Sequence, residues 1–143
     1  MSHQEVELIL ARKLAEALAV AVLIIDARGD TIFFNEPAGH ILGRPFEEVD
    51  ALPFDVRNRI LAPLRPDGTP LPLEELPGVR AMAERRPTYV AFHMHDLTGR
   101  LRAVETTGIP VQNASGRMIG ALVVAWLHQA GDHEGARLRP EGS

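Results

Sequence analysis

The chain contains no cysteine among its 143 residues. Disulfide frameworks, thiolate nucleophiles, cysteine-ligated zinc and chromophores anchored on a thiol are thereby excluded. The absence fits a reducing compartment, and we expect a cytoplasmic protein. Basic surplus is also lacking. Fifteen Lys and Arg face nineteen Asp and Glu, for a net charge of -4, which gives no field for nucleic acid or an anionic membrane. No apolar run approaches the roughly 18 residues of a membrane span. The N-terminal segment is amphipathic and carries Glu5 and Glu7, unlike a signal peptide. No internal repeat, nucleophile elbow or phosphate-cradling glycine loop is found, which argues against an enzyme. The paired carboxylates Glu47-Glu48 and Glu74-Glu75 read as solvated, and Gly39-x-x-x-Gly43 carries no specific signal.

What is present is an ordinary globular composition, 45% hydrophobic and 24% charged, with the length of one domain. Residues 3–19 have helical periodicity, with Val6, Ile9, Leu10, Leu14, Ala17 and Leu18 on one face. Such a short helix needs a surface to cover, either the domain's own sheet or a second copy of the chain. Ala21–Ile25 and Thr31–Phe34 flank Ala-Arg-Gly-Asp, a hairpin signal. Asn35 then occupies an N-cap position, with Pro37 in the first turn and Gly43 at the end of the short helix. Prolines 45, 53, 63 and 66 leave room for brief helical pieces only. A helix from Pro77 to about Arg86 follows, with Val79, Met82 and Ala83 inward. Tyr89–Asp96 and Leu101–Val111 read as strands joined by a three-residue loop with Gly99 left-handed, and Met118–Leu127 as a third. The tail from Gly131 is polar and aperiodic, which predicts disorder. Helices set between two groups of strands give an α+β class with short helices on one face of an antiparallel sheet.

The segments IIDARGDTIFFNEPAGHILGRP and GRLRAVETTGIPVQNASGRMIGALVVAW, with Arg-Pro-Asp-Gly-Thr-Pro between them, resemble a PAS domain over about residues 15–127. The resemblance implies a five-stranded antiparallel sheet whose concave face and helices surround a small cavity. It implies a sensor or interaction module that passes a change to an output domain or partner outside this chain. It divides the chain into an N-terminal amphipathic helix (1–19), the domain proper (20–128) and a tail (129–143). Many relatives continue the last strand as Asp-Ile-Thr; here Trp126-Leu127-His128 follows a different pattern, so the usual C-terminal relay is not expected.

Alternation on the first long strand separates Val90, Phe92 and Met94 from Tyr89, Ala91, His93 and His95, and the apolar row should face inward. A loop at 97–99 pairs Phe92 with Val104, Val90 with Thr106 and His93 with Ala103. The resemblance adds Leu122, Val124 and Trp126 to the inner face, leaving Ala121, Val123, Ala125 and Leu127 outside under the N-terminal helix. The candidate ligand site is then Val90, Phe92, Met94, Val104, Leu122 and Val124, closed by Leu42, Phe46, Val79 and Met82. Thr106 and Asn35 are its polar members, Asn35 being either a cap alone or also turned toward a ligand. An apolar wall with few polar groups describes a small-molecule cavity, or equally a filled core serving a dimerisation module. The cofactor is unknown. Flavin-cysteinyl chemistry is excluded without cysteine, and haem is not expected because Pro77–Arg86 has no histidine. His40 reads as a surface residue, and His93 and His95 with Glu105 lack a fourth metal ligand. We expect a homodimer through the N-terminal helix and the outer sheet face.

Overall fold

A computed structural model describes residues 5–128. The polar tail expected beyond residue 129 lies outside the described residues. In chain order the elements are α1 (Val6–Ala17), β1 (Ala21–Asp26), β2 (Thr31–Phe34), α2 (Glu36–Leu42), α3 (Phe46–Val49) and α4 (Phe54–Leu61). A 3-10 turn (Leu73–Glu75), α5 (Pro77–Glu84), β3 (Thr88–His95), β4 (Leu101–Gln112) and β5 (Met118–Leu127) complete it. The strands form one antiparallel sheet in the order β2-β1-β5-β4-β3. Helices α2 to α5 pack on one face of it and α1 on the other, which is the α+β arrangement read from the sequence. Among the described residues no helix is long and apolar enough to cross a membrane.

Turn chemistry fixes the local geometry as the sequence indicated. Asn35 caps α2, Pro37 sits in its first turn, and Gly43 ends it at φ 92. Only a residue without a Cβ adopts that conformation freely. The β3–β4 hairpin has the expected register, with Phe92 opposite Val104, Val90 opposite Thr106 and His93 opposite Ala103. Its turn is organised by Asp96, whose Oδ1 accepts from Thr98 Oγ1 (2.6 Å), Thr98 N (2.8 Å) and Arg100 N (3.0 Å). Its Oδ2 accepts from Arg102 at 3.3 Å. Burial pushes this carboxyl up, but those donors outweigh it and hold it down at about 2.

Three expectations are corrected. First, α1 lies on the sheet through Leu8, Ala11 and Ala15, whereas the wider apolar stripe points away from it. Val6, Leu10 and Leu14 of that stripe are 65%, 60% and 60% exposed. Small residues let the helix approach the sheet closely, so its less greasy side is the buried one. Second, the faces of β5 are the reverse of those expected. Ala125 and Leu127 pack on the helix-bearing side with Val104 and Leu23, while Leu122 and Val124 pack under α1 with Val22 and Ile24. Both rows of β5 are apolar, so only pairing to β1 and β4 decides which turns inward. A bulge opposite Val111 and Gln112 adds one residue to β5 and shifts the alternation there. Third, α5 ends at Glu84 and buries Ala81 rather than Ala83, which is exposed.

The inner face of the sheet carries small residues where α5 crosses it. A Cβ on Gly108 would stand 2.1 Å from the Pro77 carbonyl oxygen, and one on Gly78 would stand 2.5 Å from Ile25 Cδ1. The start of α5 therefore rests directly on the strand backbones.

Candidate ligand cavity

Between the inner sheet face and helices α2, α4 and α5 lies a cavity of about 100 Å³. The sheet supplies Ala21, Leu23 and Ile25 from β1, Phe92 and Met94 from β3, Val104 and Thr106 from β4, and Val123 and Ala125 from β5. Helix α2 adds Ala38, Ile41 and Leu42, and α5 adds Pro77, Gly78 and Val79. The lining is almost wholly apolar, because strand alternation turns every second side chain into it. Small side chains at 21, 38, 78 and 125 leave the space that larger ones would fill.

The structure brings together six of the residues singled out from the sequence, namely Leu42, Val79, Phe92, Met94, Val104 and Thr106. The others stand elsewhere. Leu122 and Val124 are on the α1 side, for the pairing reason already given. Phe46 packs edge-on against Phe33 and Phe34, with ring centroids 5.1 and 5.2 Å apart, and borders an open groove between α1 and α2. Val90 packs against the inner core without lining the cavity, and Met82 is half-buried outside it.

Asn35 does not face the cavity either. Its Oδ1 accepts from Val22 N (2.9 Å) and Ala38 N (3.1 Å). Its Nδ2 donates to the carbonyl oxygens of Ala15 (2.9 Å) and Val20 (2.8 Å). The side chain is buried and every polar atom is engaged, so it has nothing left for a ligand. It instead ties the end of α1, the start of β1 and the start of α2 to one point.

Helix α4 is one of the brief helical pieces expected between the prolines, but its place in the cavity wall was missed. Arg57, Asn58 and Leu61 all line the cavity. The signal was available: Phe54, Arg57, Asn58 and Leu61 fall at i, i+3, i+4 and i+7, so two polar residues occupy inward positions of a helix. Arg57 is buried. Its Nη1 donates to the Gly29 carbonyl oxygen (2.7 Å) and Thr31 Oγ1 (2.8 Å), and its guanidinium stands 5.3 Å from the centre of the Phe54 ring. Burial lowers its pKa to about 10, partly opposed by Asp30 and Asp26, so it stays charged at neutral pH.

Among the described residues no histidine lines the cavity. His40 borders the outer groove between α1 and α2. His93 is on the outer sheet face, and His95 reaches from the sheet edge to within 3.4 Å of the Leu61 carbonyl oxygen. Glu105 accepts from Tyr89 Oη (2.7 Å) and pairs with His128 (3.0 Å) rather than with His93 or His95. Among the described residues no group of three His, Cys, Asp or Glu side chains is placed to hold a metal ion.

The comparisons with known proteins agree with this architecture. The family model described as the PAS fold matches residues 15–127. No curated protein matches the chain. Among solved structures, the PAS domain of a Colwellia psychrerythraea protein is similar at 18% identity and TM-score 0.62, covering 86% of this chain and 98% of that one. The PAS domain of Bordetella pertussis BvgS is similar at 15% identity and TM-score 0.56, covering 94% and 97%. A PAS domain from a two-component sensor histidine kinase is similar at 10% identity and TM-score 0.58, covering 85% and 96%. At these identities the likeness to solved structures speaks for the fold, and the family match, extending over most of the sequence, settles membership: the chain belongs to the PAS fold family.

Proposed function

We propose that this protein is a non-enzymatic sensory domain of signal transduction that takes a small molecule into the cavity and signals through a homodimer. The observation that carries the reading is the apolar cavity of about 100 Å³ bordered by the sheet, α2, α4 and α5. An apolar cavity of about 150 Å³ is known to admit benzene, so this one suits a molecule no larger. Haem or flavin would need several times that space. The ligand-contacting residues are Leu42, Val79, Phe92, Met94, Val104 and Thr106, joined by Ala125 and the α4 face.

The exposed stripe of α1 supports the second part. Val6, Leu10 and Leu14 line one side of a helix whose other side is already seated on the sheet. Leu18, Val20 and Trp126 extend the exposed apolar surface around its C-terminal end. A second copy of the same stripe is the occupant that matches it in chemistry and length. Residues 1–19 act as the dimerisation segment and 20–128 as the sensing domain, with the output partner outside this chain. Asn35 couples the two, since it joins α2, which lines the cavity, to the end of α1. A ligand shifts the dimer only by as much as it favours one arrangement of that joint.

Sedimentation of the chain, with and without residues 1–18, tests the dimer, and NMR titration with small apolar compounds tests the cavity. A dimer that becomes monomeric on truncation, with core resonances moved by the compounds, is the expected result. A chain that is monomeric throughout removes the dimer. A dimer with a core that admits nothing returns the protein to a dimerisation module with a filled core.

A further inference from the structure

Asn58 Nδ2 is buried and has no hydrogen-bond partner. Among the described residues it is the one buried side-chain nitrogen or oxygen left in that condition. Asn58 lines the cavity, and its neighbours there are almost all hydrocarbon. A buried donor without an acceptor is unfavourable by itself, and native proteins keep few of them. None of the described residues supplies an acceptor for this one. The other polar side chains in the lining are Arg57, directed at Gly29 and Thr31, and Thr106, whose hydroxyl donates to the Val90 carbonyl oxygen at 2.7 Å. A water molecule needs two to four polar partners, and this wall offers few that are uncommitted.

We propose that the cavity selects a small neutral molecule bearing one hydrogen-bond acceptor, such as a short ketone, aldehyde, ester or ether, whose oxygen takes the hydrogen bond of Asn58 Nδ2 once the amide, which shows almost no accessible surface in this structure, turns toward the space. The proposal rests on the cavity being a ligand site and adds the class of ligand. The hydrocarbon part of such a molecule fills the space beside Phe92, Met94 and Val104. A carboxylate fits less well, because dehydrating a charge in apolar surroundings needs a facing cation. Arg57 already points its Nη1 at two protein oxygens and feels Asp26 and Asp30.

The test compares 2-butanone, 2-methylbutane and propionate, each of about five heavy atoms, a size matched to the cavity. Each is titrated into the full chain and followed by the side-chain amide resonances in NMR. The ketone should bind roughly five- to tenfold more tightly than the hydrocarbon, which is the effect of one net hydrogen bond. It should also move the Asn58 amide signals. In Asn58→Leu the preference should vanish while hydrocarbon binding persists. That variant should also melt about 3 °C higher without ligand, since it removes an unsatisfied buried group. Equal affinity for ketone and hydrocarbon in the unaltered protein overturns the acceptor proposal but leaves the cavity as a ligand site. Failure of all three compounds to bind overturns both. Tightest binding by propionate, or a lower melting temperature for Asn58→Leu, overturns the proposal by showing a charged ligand or an amide already satisfied. Should Asn58→Leu not fold, the comparison in the unaltered protein decides.

Discussion

At the residue scale, two polar side chains hold more of this molecule together than their size suggests. Asn35 reads in the sequence as a helix cap, and a cap alone is worth about 1 kcal/mol. In the fold it makes four hydrogen bonds across three elements, and its loss strands buried partners. Asn35→Ala should therefore lower the stability of the protein by about 3 kcal/mol, measured by urea denaturation. A loss near 1 kcal/mol would mean that the cap is all that matters. Asp96 sets an acid limit. Its folded pKa of about 2 lies below the ordinary 3.8, so the stabilisation is complete above the ordinary value and is lost as pH falls through the folded one. Stability should decline between about pH 4 and pH 2 in the unaltered protein, and Asp96→Asn should flatten that part of the profile. An unchanged slope would place the acid sensitivity elsewhere.

At the scale of elements, α1 and α5 show opposite uses of small residues. Helix α1 buries Leu8, Ala11 and Ala15 and leaves its leucine-rich stripe outside. Leu8→Ala should cost about 3 kcal/mol as a buried truncation. The double change of Leu10 and Leu14 to Glu should stay within about 0.5 kcal/mol in the stability of the folded protomer, because both are exposed. The same double change should abolish the dimer in sedimentation. If it unfolds the protein, the stripe belongs to the core after all. Helix α5 needs Gly108 beneath it, since any Cβ there meets the Pro77 carbonyl oxygen. Gly108→Ala should force α5 off the sheet and destabilise by about 3 kcal/mol, seen as a lower urea midpoint.

Across the whole molecule, the cavity exists because side chains from three helices and four strands stop short of one another. Ala125 borders it from β5. Ala125→Val adds buried methyl groups where there is space and suits a strand, so it should stabilise by about 1 kcal/mol. The same change should weaken binding of any small apolar compound. Greater stability with unaltered binding would show that the compound sits elsewhere. The hairpins, the α2 cap, the Pro77 helix start and six cavity residues were all legible in the chain, because turn chemistry and alternation act over a few residues. The orientation of β5 was not. Met118–Leu127 is apolar on both rows, and only the register against β1 and β4, shifted by a bulge, selects Val123 and Ala125 for the inside. The part α4 plays in the cavity escaped notice because its inward positions hold Arg57, which the fold buries, and Asn58, which it half-buries, and both read as surface in the chain.

The sequence by itself determined the α+β class, the order of elements, the β3–β4 register and the exclusion of thiol chemistry. Each follows from local backbone preference or from composition. Only the tertiary structure decided which apolar row of β5 and which side of α1 turn inward, and that Asn35 is a joint while the Asn58 side-chain nitrogen is left without a partner. Those outcomes depend on pairing and packing between segments far apart in the chain, where two arrangements of similar hydrophobicity differ only in how closely the backbones can meet.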